Sequence, residues 1–396
     1  MASKLQTWNT LQELLADLQQ YCVLPSSSSD HVGVAAAQKF LASRLESYIG
    51  LQCRIIDNPM GPNHSGPMLL ASSKKSSGPR IAMISHADTL DGHEFDQHRF
   101  SIALTKDKII GQGVLDDKAS QFVALWGLKM FVEKHPNHRI GFDFVSSPNE
   151  ELGSQGFHPF YEELSGSVSM ALGFEPSLPD GAIVSERRGN RWYKIEVVGK
   201  EAHAGRGHKV GCNAAHELAI KIAKLHKLTN YKKDITLNIG QILSDSTTYN
   251  VVCGKAMAKL DLRFSDNKGR DEAHKSIEKI LKKSHVKSNE GKVESQCHYT
   301  IEDDCPPLHQ KRSSKKWVKK YLDCIESVEG KKTHDTKSGG GADVSYMARK
   351  DLVVIDGLGA IGGNMHRKDE YALIESIESR SKALCLFLED CEKNLK

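Results

Sequence analysis

The sequence has no Cys-x-x-Cys pair, although it carries 9 cysteines among 396 residues. An odd number of scattered single cysteines, without framework spacing, argues against a disulfide framework and against structural zinc-finger chemistry. It suits reduced thiols and a cytoplasmic protein. No apolar run approaches the length of a membrane span. The opening stretch from Met1 to Trp8 lacks the apolar core of a signal peptide. Neither sign of charge dominates: the net charge is +4, too small to indicate a nucleic-acid or membrane-surface partner. The basic run from Lys311 to Lys320 is expected to be the solvated face of a helix. A phosphate cradle is missing as well. Gly111-Gln-Gly113 has no third glycine, and no Gly-Lys-Ser/Thr follows it.

What is present is a recurring pattern of apolar runs that end in an acid or a histidine. Ile81 to Ile84 read as a buried strand of a parallel sheet, ending near His86 with Asp88 two residues on. Open α/β sheets place ligands at the carboxyl ends of their strands. A histidine there, with a carboxylate near its second ring nitrogen, is what a metal site needs; the plain alternative is a loop His beside a loop Asp. Ile109 to Leu115 lead into Asp116 and Asp117, which then enter a helix with Ala119, Phe122, Val123 and Trp126 on one face. Those aspartates could simply cap it. A third strand, about 139–145, runs into Asn149-Glu150-Glu151, and a fourth, 170–174, ends in Glu175. Adjacent glutamates repel unless a cation offsets them.

The chain changes character near Arg188. Residues 192–198 alternate as a half-buried strand does; 236–242, 251–264 and 293–301 follow more weakly, with helices expected at about 213–226 and 270–283. This block reads as a small α+β domain over 189–304, inserted into an α/β domain of 1–188 and 305–396. Helices are expected in the larger domain at 5–21, with Leu5, Trp8, Leu11, Leu15 and Leu18 at helical spacing, and at 32–48, 314–328 and 374–393.

In this order, Ser85-His-Ala-Asp-Thr-Leu90, Gly111-Gln-Gly-Val-Leu-Asp-Asp-Lys118, Asn149-Glu-Glu-Leu-Gly-Ser154, Phe174-Glu-Pro176, His203-Ala-Gly205 and His366 resemble the motifs of the two-zinc metallopeptidase and aminoacylase family. Gly339-Gly-Gly-Ala-Asp343 and the ending His366…Glu370-Tyr are most similar to its glutamate carboxypeptidase branch. The resemblance implies a zinc-exopeptidase catalytic domain, a mostly parallel sheet between helices, with an inserted lid and dimerisation domain. It implies two Zn2+ per chain, with Co2+ a possible substitute: His86, Asp116 and Glu175 on one, Asp116, Glu151 and His366 on the other. It further implies Asp88 as the orienter of His86, Glu150 as general base, and His203 as a group reaching a partner subunit's site. Asn250, Arg263 and Gly340 are implied as substrate contacts. Asn149 and Gln112 depart from the family's usual Asp and Arg, at positions that hold no metal. The expected substrate is a small peptide or N-acyl amino acid, cleaved at an amide next to a free carboxylate by a homodimer. A deacylase is the alternative, and a non-catalytic binding relative a further one; the intact set of five ligands plus Glu150 and Asp88 argues against the last.

Overall fold

A computed structural model of the chain describes residues 11–74, 76–90, 100–349 and 351–395. The expected helix over 5–21 therefore lies partly outside the described residues; what is described is α1, Leu11–Cys22. The chain continues through α2 (His31–Ile49), β1 (Gln52–Ile56), β2 (Met68–Ser72), β3 (Arg80–His86), α3 (Ser120–Lys134), β4 (Gly141–Ser147), α4 (His158–Ser167) and β5 (Met170–Gly173). A second block holds β6 (Gly189–Val198), α5 (Ala214–His226), β7 (Thr236–Ser244), β8 (Lys255–Phe264), α6 (Asn267–Lys282) and β9 (Gln296–Cys305). The chain then ends in α7 (Arg312–Glu329), β10 (Val353–Ile355) and α8 (Ile374–Asn394). Contacts divide it into two compact units. The first comprises 1–186, 308–338 and 342–396; the second comprises 187–307 together with the triglycine Gly339–Gly341.

The first unit is built on a six-stranded sheet of order β1-β2-β4-β3-β5-β10. β3 runs parallel to both β4 and β5, and β10 parallel to β5, whereas β1 and β2 pair antiparallel at one edge. Both faces are buried, which is why β3 reads as an apolar run and β4 as one broken only by Asp143, paired with Arg80. Leu69, Ile81, Met83, Phe142, Phe144 and Leu172 meet α1, α2, α3, α7 and α8 on one side. Met68, Leu70, Ala82, Ile84 and Val145 pack with Phe157 and Tyr161 on the other. Asp30 caps α2 by accepting the Gly33 N–H at 2.9 Å, and Gly50, at φ 79°, closes it in the left-handed region. α3 and α8 approach closely at Gly127, where a Cβ would fall 2.7 Å from the Leu384 side chain.

The second unit has an antiparallel sheet of order β7-β8-β6-β9. One face, carrying Tyr193, Ile195, Val197, Leu260 and Leu262, packs with α5 and α6. Its strands are offset from the sequence expectation. β8 starts at Lys255 rather than 251, and β9 spans 296–305 rather than 293–301.

Candidate metal centre

His86 stands at the carboxyl end of β3, 1% exposed. Its Nδ1 lies 2.9 Å from the main-chain oxygen of Asp88, and 3.4 Å from that residue's carboxylate. Nδ1 therefore serves the carbonyl, and Nε2 is the nitrogen that would face a metal. Nε2 faces Asp116 Oδ1 at 3.0 Å and Glu175 Oε1 at 4.0 Å. Asp88 thus meets the imidazole mainly through its main chain, with its carboxylate alongside. Its carboxylate mainly accepts the Glu150 N–H at 2.9 Å, the Glu151 N–H at 3.2 Å and the Ser28 hydroxyl at 2.7 Å. Asp88 thus ties the β3 end to the glutamate pair.

Asp116 is not at the start of a regular helix. It sits in a wide turn, Val114–Ala119, where its own φ of −110° and ψ of 89° interrupt the helical path before α3. That interruption turns the carboxylate sideways, so Oδ1 faces His86 while Oδ2 lies 3.3 Å from His366 Nε2. Glu151 Oε1 lies 3.3 Å from the same nitrogen. Two groups result, His86–Asp116–Glu175 and Asp116–Glu151–His366, in each of which the ligand atoms lie within 4.8 Å of one another. Asp116 belongs to both groups and Glu150 to neither.

Burial pushes the Glu150 and Glu151 carboxyls up, with the Glu175 charge adding to the first. Asp116 is buried too, yet hydrogen bonds from His366 and His86 outweigh the burial and hold it well below the carboxylate range. Hydrogen bonds to Asp116 and Glu151 push His366 up to about 11. The cationic partners recorded for Asp116, Glu151 and Glu175 are thus imidazoles. Two imidazole nitrogens among oxygen donors at this spacing fit a divalent ion such as zinc.

Sequence reasoning missed the supports of His86. Its N–H donates to Asp117 Oδ2 at 3.1 Å, and its carbonyl accepts from Gln121 Nε2 at 2.7 Å. Gln121 Oε1 in turn accepts the Tyr21 hydroxyl at 2.6 Å. Such backbone-directed bonds leave no periodic trace; the one available signal was Gln121, a buried amide in the first turn of α3.

The remaining expected site residues lie in the second unit, outside both ligand groups. His203 is exposed, and its Nδ1 accepts the N–H groups of Gly205 at 3.1 Å and Arg206 at 3.2 Å. That places the ring proton on Nε2, which projects as a donor. Exposed Asn250 accepts the Ala204 N–H through its carbonyl at 2.8 Å. Arg263, on β8, is paired with Asp261 at 2.8 Å. The Gly340 carbonyl accepts from Arg187 at 3.1 Å.

The model of peptidase family M20/M25/M40 matches residues 82–390. The chain belongs to this family. It is a metal-dependent hydrolase of amide or peptide bonds. Carboxypeptidase G2 of Pseudomonas sp. (strain RS-16) is 24% identical over 369 residues, covering 93% of this chain and 86% of the relative. A succinyl-diaminopimelate desuccinylase of Hahella chejuensis is 25% identical over 375 residues, covering 90% and 92%. Among solved structures, an M20 family metallo-carboxypeptidase from Sulfolobus solfataricus superposes with a TM-score of 0.79 at 18% identity, covering 96% of this chain and all of that one. The M20 hydrolase fold thus extends over nearly the whole chain.

Proposed function

We propose that this M20-family hydrolase binds two zinc ions and cleaves an amide bond next to a free carboxylate, as a carboxypeptidase does. One observation carries the reading: two ligand groups share Asp116, while the adjacent acid, Glu150, is left out of both. Bound zinc ions would polarise the attacked carbonyl and acidify a water. Glu150, its backbone held by Asp88, takes the water's proton and passes it to the leaving amine. Burial pushes its carboxyl up, the direction that helps one group both accept and release a proton. His203, with its proton on Nε2, is the donor for the oxyanion. Asn250, Arg263 and Gly340 are the substrate contacts of the second unit. Carboxypeptidase G2 among the relatives supports a peptide-like substrate, and the desuccinylase supports an N-acyl amino acid as the second reading. Nine free cysteines support a reducing, cytoplasmic setting.

The test is a panel of dipeptides and N-acyl amino acids with zinc-loaded or cobalt-loaded protein. Turnover is expected only with a free terminal carboxylate, and is expected to vanish with chelator. Equal turnover of carboxamide-terminated analogues would overturn the reading. We also propose a homodimer through the second unit, whose edge strand β7 exposes Ile242 and Leu243. His203 of one chain then serves the site of the other. Mixing inactive His203→Ala and Glu150→Gln proteins after dissociation is expected to restore part of the activity. No recovery in proven heterodimers would place the His in its own chain's site.

A further inference from the structure

Glu370 is 1% exposed, and both of its oxygens are taken by main-chain N–H groups. Oε1 accepts from Leu115 at 2.7 Å and from Asp116 at 2.9 Å; Oε2 accepts from His366 at 3.3 Å. Its own carbonyl accepts the Gly111 N–H at 2.8 Å. One residue therefore spans two segments about 250 positions apart in sequence, which carry Asp116 and His366, two of the three members of the second ligand group. The His366 side needs such an anchor most. Its backbone lies in the left-handed region, at φ 64°, and its imidazole is 45% exposed. Within that loop, the contacts of Asn364 and Arg367 with Asp369 are exposed and local.

We propose that Glu370 is a positioning residue that sets the separation of Asp116 and His366 and so tunes the second metal site; this rests on the two-metal reading above. The chemistry explains why a carboxylate stands there. N–H donors converge from both sides, and only a carboxylate offers an acceptor oxygen to each. Glutamine keeps the size of the side chain but has one acceptor. With its oxygen toward Leu115 and Asp116, its amide would meet the His366 N–H donor to donor. Glu370→Gln thus releases the His366 loop and keeps the Asp116 clamp, whereas Glu370→Ala releases both.

The experiment is calorimetric titration of the metal-free full-length protein with Zn2+, repeated with Co2+, on wild type, Glu370→Gln and Glu370→Ala. Two binding steps are expected in the wild type. In Glu370→Gln one step should weaken by about 10–100-fold, the range for loss of a hydrogen bond behind a ligand, with the other nearly unchanged. The weakened step should be the one that His366→Ala abolishes. In Glu370→Ala both steps should weaken. Melting of the metal-free proteins is followed alongside. A merely structural role would lower the melting temperature and leave both affinities intact, and that result overturns the proposal. If Glu370→Ala does not fold, Glu370→Gln alone decides. A wild type without a second step overturns the two-metal reading and this role together, whereas two wild-type steps retained unchanged in Glu370→Gln overturn the role of Glu370 alone.

Discussion

Burial acts on glutamates in both units, with opposite outcomes. In the second unit Glu217 is fully buried on α5. It takes Lys221 Nζ at 2.9 Å, the His285 N–H at 2.8 Å, His285 Nδ1 at 3.0 Å and the Val286 N–H at 2.7 Å. Burial works to raise it, but those donors win and hold it down to about 2. In the first unit Glu150 and Glu151 are pushed up instead. The charges that act on them most strongly are other acids and the imidazoles of His86 and His366. Net charge follows the same division. Over 187–307, Lys and Arg outnumber Asp and Glu by 23 to 15, a net +8; the whole chain is +4, so −4 remains for the rest. A buried charge that the protein satisfies itself is structure. A cluster of buried acids left short of cations is a place for an ion from outside.

The sharpest way to break this comparison is at Glu150. Glu150→Gln removes the proton acceptor and no ligand. Turnover should fall by roughly 10²–10⁴-fold, the usual worth of a positioned acid–base group, while metal content by elemental analysis stays at the wild-type level. Glu151→Gln should instead lower metal content. Near-normal turnover in Glu150→Gln would remove Glu150 as the base, and the contrast with Glu151 would fall with it.

The second unit offers the reverse experiment. Glu217→Ala leaves Lys221 in the interior without its counter-ion. Breaking a buried pair in this way costs about 3–5 kcal/mol. The low end is expected, because Lys221 Nζ also donates to the carbonyls of Ile280, Leu281 and Lys283, at 2.7–3.2 Å. Urea unfolding followed by a probe in the second unit should show the loss whether or not zinc is present. A loss seen only in zinc-free protein would mean that the two acids are not separate cases.

Much of this division was legible in the sequence, and the illegible part has physical causes. Strands β3, β4 and β5 were readable because a parallel sheet buried on both faces leaves mainly apolar runs, β4 carrying Phe142, Phe144 and Val145 around Asp143. The acids at their ends were readable because ionisable residues rarely follow such runs by chance. β2 escaped, since Met68–Ala71 is a run of four leading directly into the Ser/Lys-rich loop that dominated its surroundings. α4 escaped as well, with a proline in its first turn, a glycine near its end and only Tyr161 and Ser165 buried. The aspartates after Val114 were read as a helix start because pattern alone does not show one residue leaving the helical path. Gly339–Gly341 group with the second unit through contacts such as Gly341 against Asn190, where a Cβ would fall 2.4 Å from the amide oxygen. Proximity across about 150 residues of chain has no local signature. The same holds for Asp117, Gln121 and Glu370, whose work is done on backbone groups.

The mildest test of the comparison is acid. Glu217 ionises at about 2 in the folded protein against an ordinary 4.5. A carboxylate with a lowered folded pKa binds fewer protons folded than unfolded, so its contribution to stability is complete above the ordinary value. That contribution is lost as pH falls from about 4.5 toward 2, and over the whole window it is on the order of 3 kcal/mol. Glu217→Gln cannot ionise, so its second unit should start less stable at pH 7 and lose less on acidification. The difference between wild type and Glu217→Gln, measured by urea unfolding at several pH values, should therefore shrink steadily below pH 4.5 and be flat above pH 5. A difference that stays constant from pH 7 to pH 3 would mean that Glu217 binds its proton equally well in the folded and unfolded chain. Its donors would then do no more than offset its burial, and the second unit would hold no favoured buried charge to set against the acids of the first.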